Sequence, residues 1–253
     1  MADEIESDAE SLRLLDWWEE QLTTAETGQP EHPVMRALSS TITEFELSLV
    51  PFRDLLSAFR QDRTVQRYDA QAELIDYCRR SADPVGRILL SMAGADSEEN
   101  FRLSDQVCTG LQLANFCQDM ARDAAIGRIY APRELYESFD VSESMLLEAE
   151  CKTAMQEMLA AWVGATRERF DAGWELVHRV PKWLATDIEL FIRGGTKILD
   201  QVATSGYDVW TQRPVVSKSQ KLLLVAQAFK GRALGRPRTM TPNWGSGQSG
   251  VTA

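Results

Sequence analysis

The segment Ser104–Ile126, SDQVCTGLQLANFCQDMARDAAI, limits the possible folds more than any other part of the chain. Read as one helix at about 100° per residue, it sets Asp105, Cys108, Gln112, Asn115, Asp119 and Asp123 on a narrow stripe. The remaining circumference is mostly apolar: Val107, Leu111, Leu113, Ala114, Phe116, Cys117, Met120 and Ala121, with Gln118 and Arg122 the chief exceptions. A surface helix carries a broad charged face, so this one is expected to be buried. Carboxylates avoid dry burial without partners, and the stripe is therefore expected to look into an internal cavity. Gly127 suits the turn that ends a helix, and Pro132 follows it.

Asp119 and Asp123 are four residues apart, about 6 Å along the helix axis and on one face. Two carboxylates in an apolar wall need a cation between them. A hard divalent ion such as Mg²⁺ fits, since it keeps waters and bridges to substrate phosphate. The plain alternative for a DxxxD spacing is a solvated acidic face. The amides on the same stripe and the apolar surround favour the metal–diphosphate reading.

Other chemistries are poorly supplied. The 253 residues include two histidines, His32 and His178, too few to favour a zinc site or a Ser-His-Asp triad. Cys78, Cys108, Cys117 and Cys151 form no CxxC pair, and reduced buried thiols are expected. A net charge of -11 argues against a nucleic-acid partner, which calls for a basic face. No apolar run approaches a membrane span, and the acidic start MADEIESDAES is unlike a secretion signal, so a cytoplasmic location is expected. The charge is unevenly spread. Seven basic residues and no acidic one lie from Val209 onward, leaving 20 basic against 38 acidic before it. A basic end of this kind can clamp phosphate or touch an anionic membrane surface peripherally.

Helical periodicity runs through the chain, which is read as one all-α domain. Helices are expected over Ser11–Leu22, from Pro33 through Leu49, from Pro51, and over Ala70–Arg80, Pro84–Ala93 and Glu98–Ile126. Further ones are expected over Ser142–Val180 (with a break possible at Gly173), Pro181–Ser205 and Lys218–Lys230. The domain is assigned to residues 1–230. The Gly/Pro/Ser/Thr-rich end, 231–253, is expected to be a disordered tail. Its formal GxGxxG, beginning at Gly245, follows no strand and carries no nucleotide-site reading.

The run Gln112, Asn115, Asp119, Asp123, followed by GRIYAP, resembles the second aspartate-rich motif of the squalene/phytoene synthase family, of the form QxxNxxxDxxxD. NFCQD resembles the hydroxysqualene synthase branch of bacterial hopanoid biosynthesis, and Gln118 stands where many members carry Arg. PFRDLLSAFRQDRTVQRY and YCRRSADPVGR are similar to the segments around the family's YC motif, and ILDQVATSGYDVWTQRP to its closing segment. The resemblance spans about residues 3–230. It implies an isoprenoid-synthase-type helical bundle around a central cavity, with Tyr77 at the reaction centre and Arg213 on the diphosphate. The first aspartate-rich motif would fall on Asp3-Glu4-Ile5-Glu6-Ser7-Asp8, with Ser7 where a second aspartate is expected and Glu4 or Asp8 as its substitutes. Family members carry helical sequence before this motif, so the resemblance implies an N-terminally incomplete bundle.

The implied chemistry is ionisation of an isoprenoid diphosphate, with Mg²⁺ held by Asp119, Asp123 and the Asp3, Glu4, Asp8 group. Gln112 and Asn115 would bind the diphosphate or a metal-bound water. Phe52, Phe59 and Phe116 are available to wall the cavity and stabilise a carbocation. Presqualene diphosphate converted to hydroxysqualene by water is the leading expectation, and condensation of two farnesyl diphosphates is the second. A non-catalytic protein that binds isoprenoid or a partner synthase is the alternative of another class.

Overall fold

The structure, a computed structural model, describes residues 7–28, 30–148, 151–217 and 220. Asp3 and Glu4, the tail 231–253 and all of the expected Lys218–Lys230 helix except Gln220 lie outside them. Eleven helices and no strand are found among the described residues: α1 (Asp8–Glu26), α2 (Pro33–Phe45), α3 (Val50–Gln61), α4 (Gln71–Ser81), α5 (Asp83–Met92), α6 (Glu98–Ala125), α7 (Arg133–Glu137), α8 (Glu143–Leu147), α9 (Thr153–Gly173), α10 (Leu176–Arg179) and α11 (Lys182–Thr204).

Helix α6 is the axis around which the others pack. It contacts α4, α5, α8, α9, α10 and α11, which is why apolar residues surround it. Its start is set by Ser97, whose hydroxyl accepts from Asn100 N at 3.2 Å. Its end is set by Gly127, which takes φ +79° just past the last turn. Leu103, Val107, Leu113, Ala114, Phe116, Cys117 and Met120 are all buried in the main core, with Leu159, Phe170, Ile192 and Leu199 from α9 and α11. A smaller core joins α1, α2 and α3 through Leu22, Met35 and Leu49. Ion pairs from Arg60 to Asp16 and Glu19, and from Arg63 to Asp8, tie α3 and the turn after it to α1.

One expectation holds only in part. The break at Gly173 is found, between α9 and α10, but the stretch before it is itself divided into α8 and α9. The run ESMLLEAECKTAMQEM contains no Gly or Pro to mark the first break, so periodicity alone continues through it. Leu146 of α8 is fully buried in the main core.

Phe170 shows how closely the layers meet. It is fully buried, and a Cβ added at Gly110 of α6 or at Gly195 of α11 would fall 3.0 and 2.4 Å from its ring. Gly194, one residue earlier, has nothing within 4 Å of an added Cβ. Gly195→Ala should therefore overpack the core and cost about 1–3 kcal/mol. Gly194→Ala should leave stability unchanged or raise it by up to about 1 kcal/mol. Urea titration of the two variants checks this contrast.

Asp83, at the first turn of α5, is 4 % exposed, and Thr109 Oγ1 donates to its Oδ1 at 2.9 Å. Burial, with the Asp105 charge adding to it, pushes this carboxyl up to about 7. The folded state thus binds the proton more tightly than the unfolded chain does. Stability from this group is complete below about pH 4 and is lost as pH rises through about 7, at roughly 1.4 kcal/mol per pH unit between the two values. Asp83→Asn should flatten that decline in a stability-versus-pH series; an unchanged slope would assign it to other groups.

Candidate active site

Asp119 and Asp123 lie near the C-terminal end of α6, on its half-buried side. The two carboxylates interact. Burial and then the Asp119 charge raise Asp123 to about 6, against the opposing pull of Arg128, Arg122 and Arg213. Asp119 is matched by Arg213, whose Nε and Nη2 both donate to it, the latter at 3.1 Å. This ion pair joins positions 94 residues apart, and it carries the segment after α11 across the end of α6. The segment is held locally by Asp208, whose carboxylate accepts from the backbone of Trp210 and Thr211, and by buried Val209 and Trp210.

On the neighbouring wall, Tyr77 of α4 is buried and its hydroxyl bonds the Asp62 carboxylate. Burial and then the Asp62 charge push its phenol far up, so it stays protonated. Phe116 and Tyr130 stack with ring centroids 3.9 Å apart and planes at 12°, and Tyr77 packs 6.3 and 6.1 Å from them. Arg128 donates to the Asp62 carbonyl at 3.1 Å and bonds Tyr130. An aromatic wall thus stands beside three carboxylates and two arginines.

About two turns back along α6 from Asp119, roughly 10 Å, Gln112 lines an apolar cavity of about 340 Å³. Its walls include Val85 and Leu89 of α5, Val107 and Leu111 of α6, and Ile188 and Phe191 of α11. The volume falls in the range of small-molecule sites, and the lining suits a hydrocarbon.

The structure brings Asp119, Asp123, Arg213, Gln112, Tyr77 and Phe116 to one region around α6. The other candidates among the described residues have different surroundings. Asn115 is exposed, and Asp105, on the same stripe, is paired with Arg87 at 2.6 Å in a separate polar recess. The stripe therefore does not face one cavity throughout. Phe52 packs against the small α1–α3 core, Phe59 is exposed, and Asp8 is paired with Arg63 at 2.8 Å. Among the described residues no group of three metal-ligating side chains comes together. Sequence reasoning did not single out Asp62, Arg128 or Tyr130, although each lay inside a segment it quoted. Pairing across helices was needed to separate them from their neighbours.

The chain matches the family model for squalene/phytoene synthase over residues 1–220. It is 30% identical to the phytoene synthase of Arthrospira platensis over 234 residues, covering 86% of this chain and 75% of the relative. It is 28% identical to a chloroplastic phytoene synthase of Zea mays, of which it covers 53%. Among solved structures, the squalene synthase HpnC from Alicyclobacillus acidocaldarius superposes with a TM-score of 0.77 at 39% identity, covering 78% of this chain and 75% of that one. A dehydrosqualene synthase superposes at 0.79 and 23% identity, covering 87% and 78%, which bears on the fold alone. The helical architecture is that of the isoprenoid synthases, and the chain belongs to the squalene/phytoene synthase family.

Proposed function

We propose that this chain ionises an isoprenoid diphosphate, with presqualene diphosphate converted to hydroxysqualene as the leading reaction. The observation that carries the reading is an acidic pair, Asp119 and Asp123, on the same helix as an apolar cavity about 10 Å away. Diphosphate at the acidic end and hydrocarbon in the cavity would place the breaking C–O bond near Tyr77 and the Phe116–Tyr130 stack. The 39% identity to a squalene synthase supports the same class of substrate.

The donor set fits a hard divalent ion. Burial and then the charge of its neighbour Asp119 hold Asp123 above the ordinary carboxylate range, so an added positive charge would relieve the pair. Asp119 and Asp123 would hold Mg²⁺, with its remaining positions left to waters and diphosphate oxygens. When bound, the ion neutralises charge on the leaving diphosphate. The rest falls to the chain's own residues. Arg213 and Arg128 supply cationic donors to the diphosphate. Gln112, at the edge of the cavity, hydrogen-bonds the diphosphate or a metal-bound water. The aromatic faces stabilise the developing carbocation, and the apolar walls keep bulk water from it. In the overall step the C–O bond breaks with its electron pair leaving on diphosphate, and the cyclopropylcarbinyl cation rearranges with cleavage of a ring C–C bond to an open-chain allylic cation. One water adds its oxygen to the cation, and its second proton goes to solvent.

The phytoene synthase relatives favour a second reading, condensation of two farnesyl diphosphates. Incubation with Mg²⁺ and presqualene diphosphate should yield hydroxysqualene and diphosphate in equal amounts, whether or not NADPH is present. Squalene formed only with NADPH would overturn the water step. Turnover of farnesyl diphosphate alone would favour the second reading, and no turnover of either would favour a non-catalytic isoprenoid-binding or partner-binding protein.

Asp119→Asn should lower turnover by about 100-fold or more, the scale expected for loss of a group that stabilises charge in the transition state. Its melting temperature should stay close to that of the parent. Full activity in this variant would remove Asp119 from the site. Chelation of divalent ions should abolish turnover reversibly, with Mg²⁺ restoring it; activity that persists in chelator would exclude the metal role.

A further inference from the structure

Gln118 faces neither the acidic pair's solvent side nor the apolar core in the ordinary way. Its residue is 7 % exposed, and both halves of its amide are committed to one distant segment. Nε2 donates to the Pro214 carbonyl at 2.6 Å, and Oε1 accepts from Arg213 Nη2 at 3.2 Å. The same guanidinium reaches on to Asp119 through two nitrogens. A buried amide used this way is costly to leave unpaired, so the contact is specific. Pro214 has no N–H, and its carbonyl takes the Gln118 donor. The side chain is thus a two-point clamp at the only approach of residues 213–214 to α6 recorded by hydrogen bonds among the described residues.

We infer that Gln118 is a positioning residue for Arg213, clamping the strap 208–217 so that this guanidinium is preset beside Asp119 and meets an incoming diphosphate without reorganisation. In the ligand-free protein Arg213 serves as an internal counter-ion for Asp119. With a metal ion and diphosphate at the acidic end, Asp119 would help hold the metal, and the guanidinium, still tethered by Gln118, would donate to the phosphate oxygens. A bidentate donor placed in advance loses less conformational freedom on binding than a free arginine does. The inference rests on the reading of Asp119 and Arg213 given above and adds the residue that fixes their geometry.

The test needs no turnover. Inorganic diphosphate with Mg²⁺ is titrated calorimetrically into the parent chain, Gln118→Ala, Arg213→Ala and the double variant, with melting temperatures recorded for each. Gln118→Met, which keeps length without the amide, replaces the alanine variant if that one unfolds. Gln118→Ala should weaken binding about tenfold, on the scale of a lost hydrogen bond to a charged group. In the double variant the second change should add nothing to Arg213→Ala, because Gln118 acts through Arg213. Losses that multiply, or a melting point that falls while affinity holds, overturn the positioning role. A parent chain that does not bind Mg²⁺–diphosphate removes both this inference and the reading beneath it, whereas tight parent binding with multiplying losses removes only this one.

Discussion

Burial of α6 governs the rest of the molecule. A helix with apolar residues on nearly every side must be surrounded, and α4, α5, α8, α9, α10 and α11 surround it. The fit is close enough that Phe170 sits against Gly110 on α6 and Gly195 on α11. Once the helix is enclosed, a carboxylate on its enclosed length is taken out of bulk water at a cost on the order of several kcal/mol unless partnered. Its three aspartates meet that constraint in two ways. Asp105 takes Arg87, Asp119 takes Arg213, and Asp123 shifts its protonation toward neutral pH. Only Asp123 keeps an unmet demand for positive charge, and it lies next to Asp119.

The net charge of -11 conceals this local arrangement. Positive charge from the segment after α11 returns to the acidic end of α6 through Arg213, held there by Gln118. That long-range contact is structural in the resting protein and chemical in the proposed reaction, because the group that neutralises Asp119 is also suited to grip a diphosphate. The aromatic wall of Tyr77, Phe116 and Tyr130 fits the same scheme: it offers π-faces to a cation while its buried phenols remain protonated.

Much of this is legible in the sequence. The end of α6 follows from Gly127, and helices α1 to α5 follow from periodicity, with prolines at several of the breaks. The pairing of Asp119 with Asp123 follows from their spacing alone. What the sequence conceals is long-range. Nothing in ESMLLEAECKTAMQEM signals the division between α8 and α9, because its residues are all compatible with helix. The stripe on α6 reads as facing one cavity, yet Asp105 meets Arg87 and Asn115 is exposed, since different helices cover different stretches of its length. Phe52 and Phe59 read like Phe116 by composition; only the placement of α3 against α1 and α2 sends Phe52 to a separate core. Gln118 reads as a minor exception on an apolar face, and its meaning emerges only when residues 213–214 arrive beside it.

The central claim is spatial: diphosphate at Asp119 and Asp123, hydrocarbon in the cavity beyond Gln112. A crystal structure of the protein with Mn²⁺ and a non-ionisable isoprenoid thiodiphosphate tests it most directly, because anomalous scattering locates the metal independently of the ligand. The expected result is a metal peak between the two carboxylates, with the chain's density running along α6 into the cavity walled by Val85, Leu89 and Ile188. A ligand whose hydrocarbon lies elsewhere, or a metal bound away from Asp119 and Asp123, would contradict it.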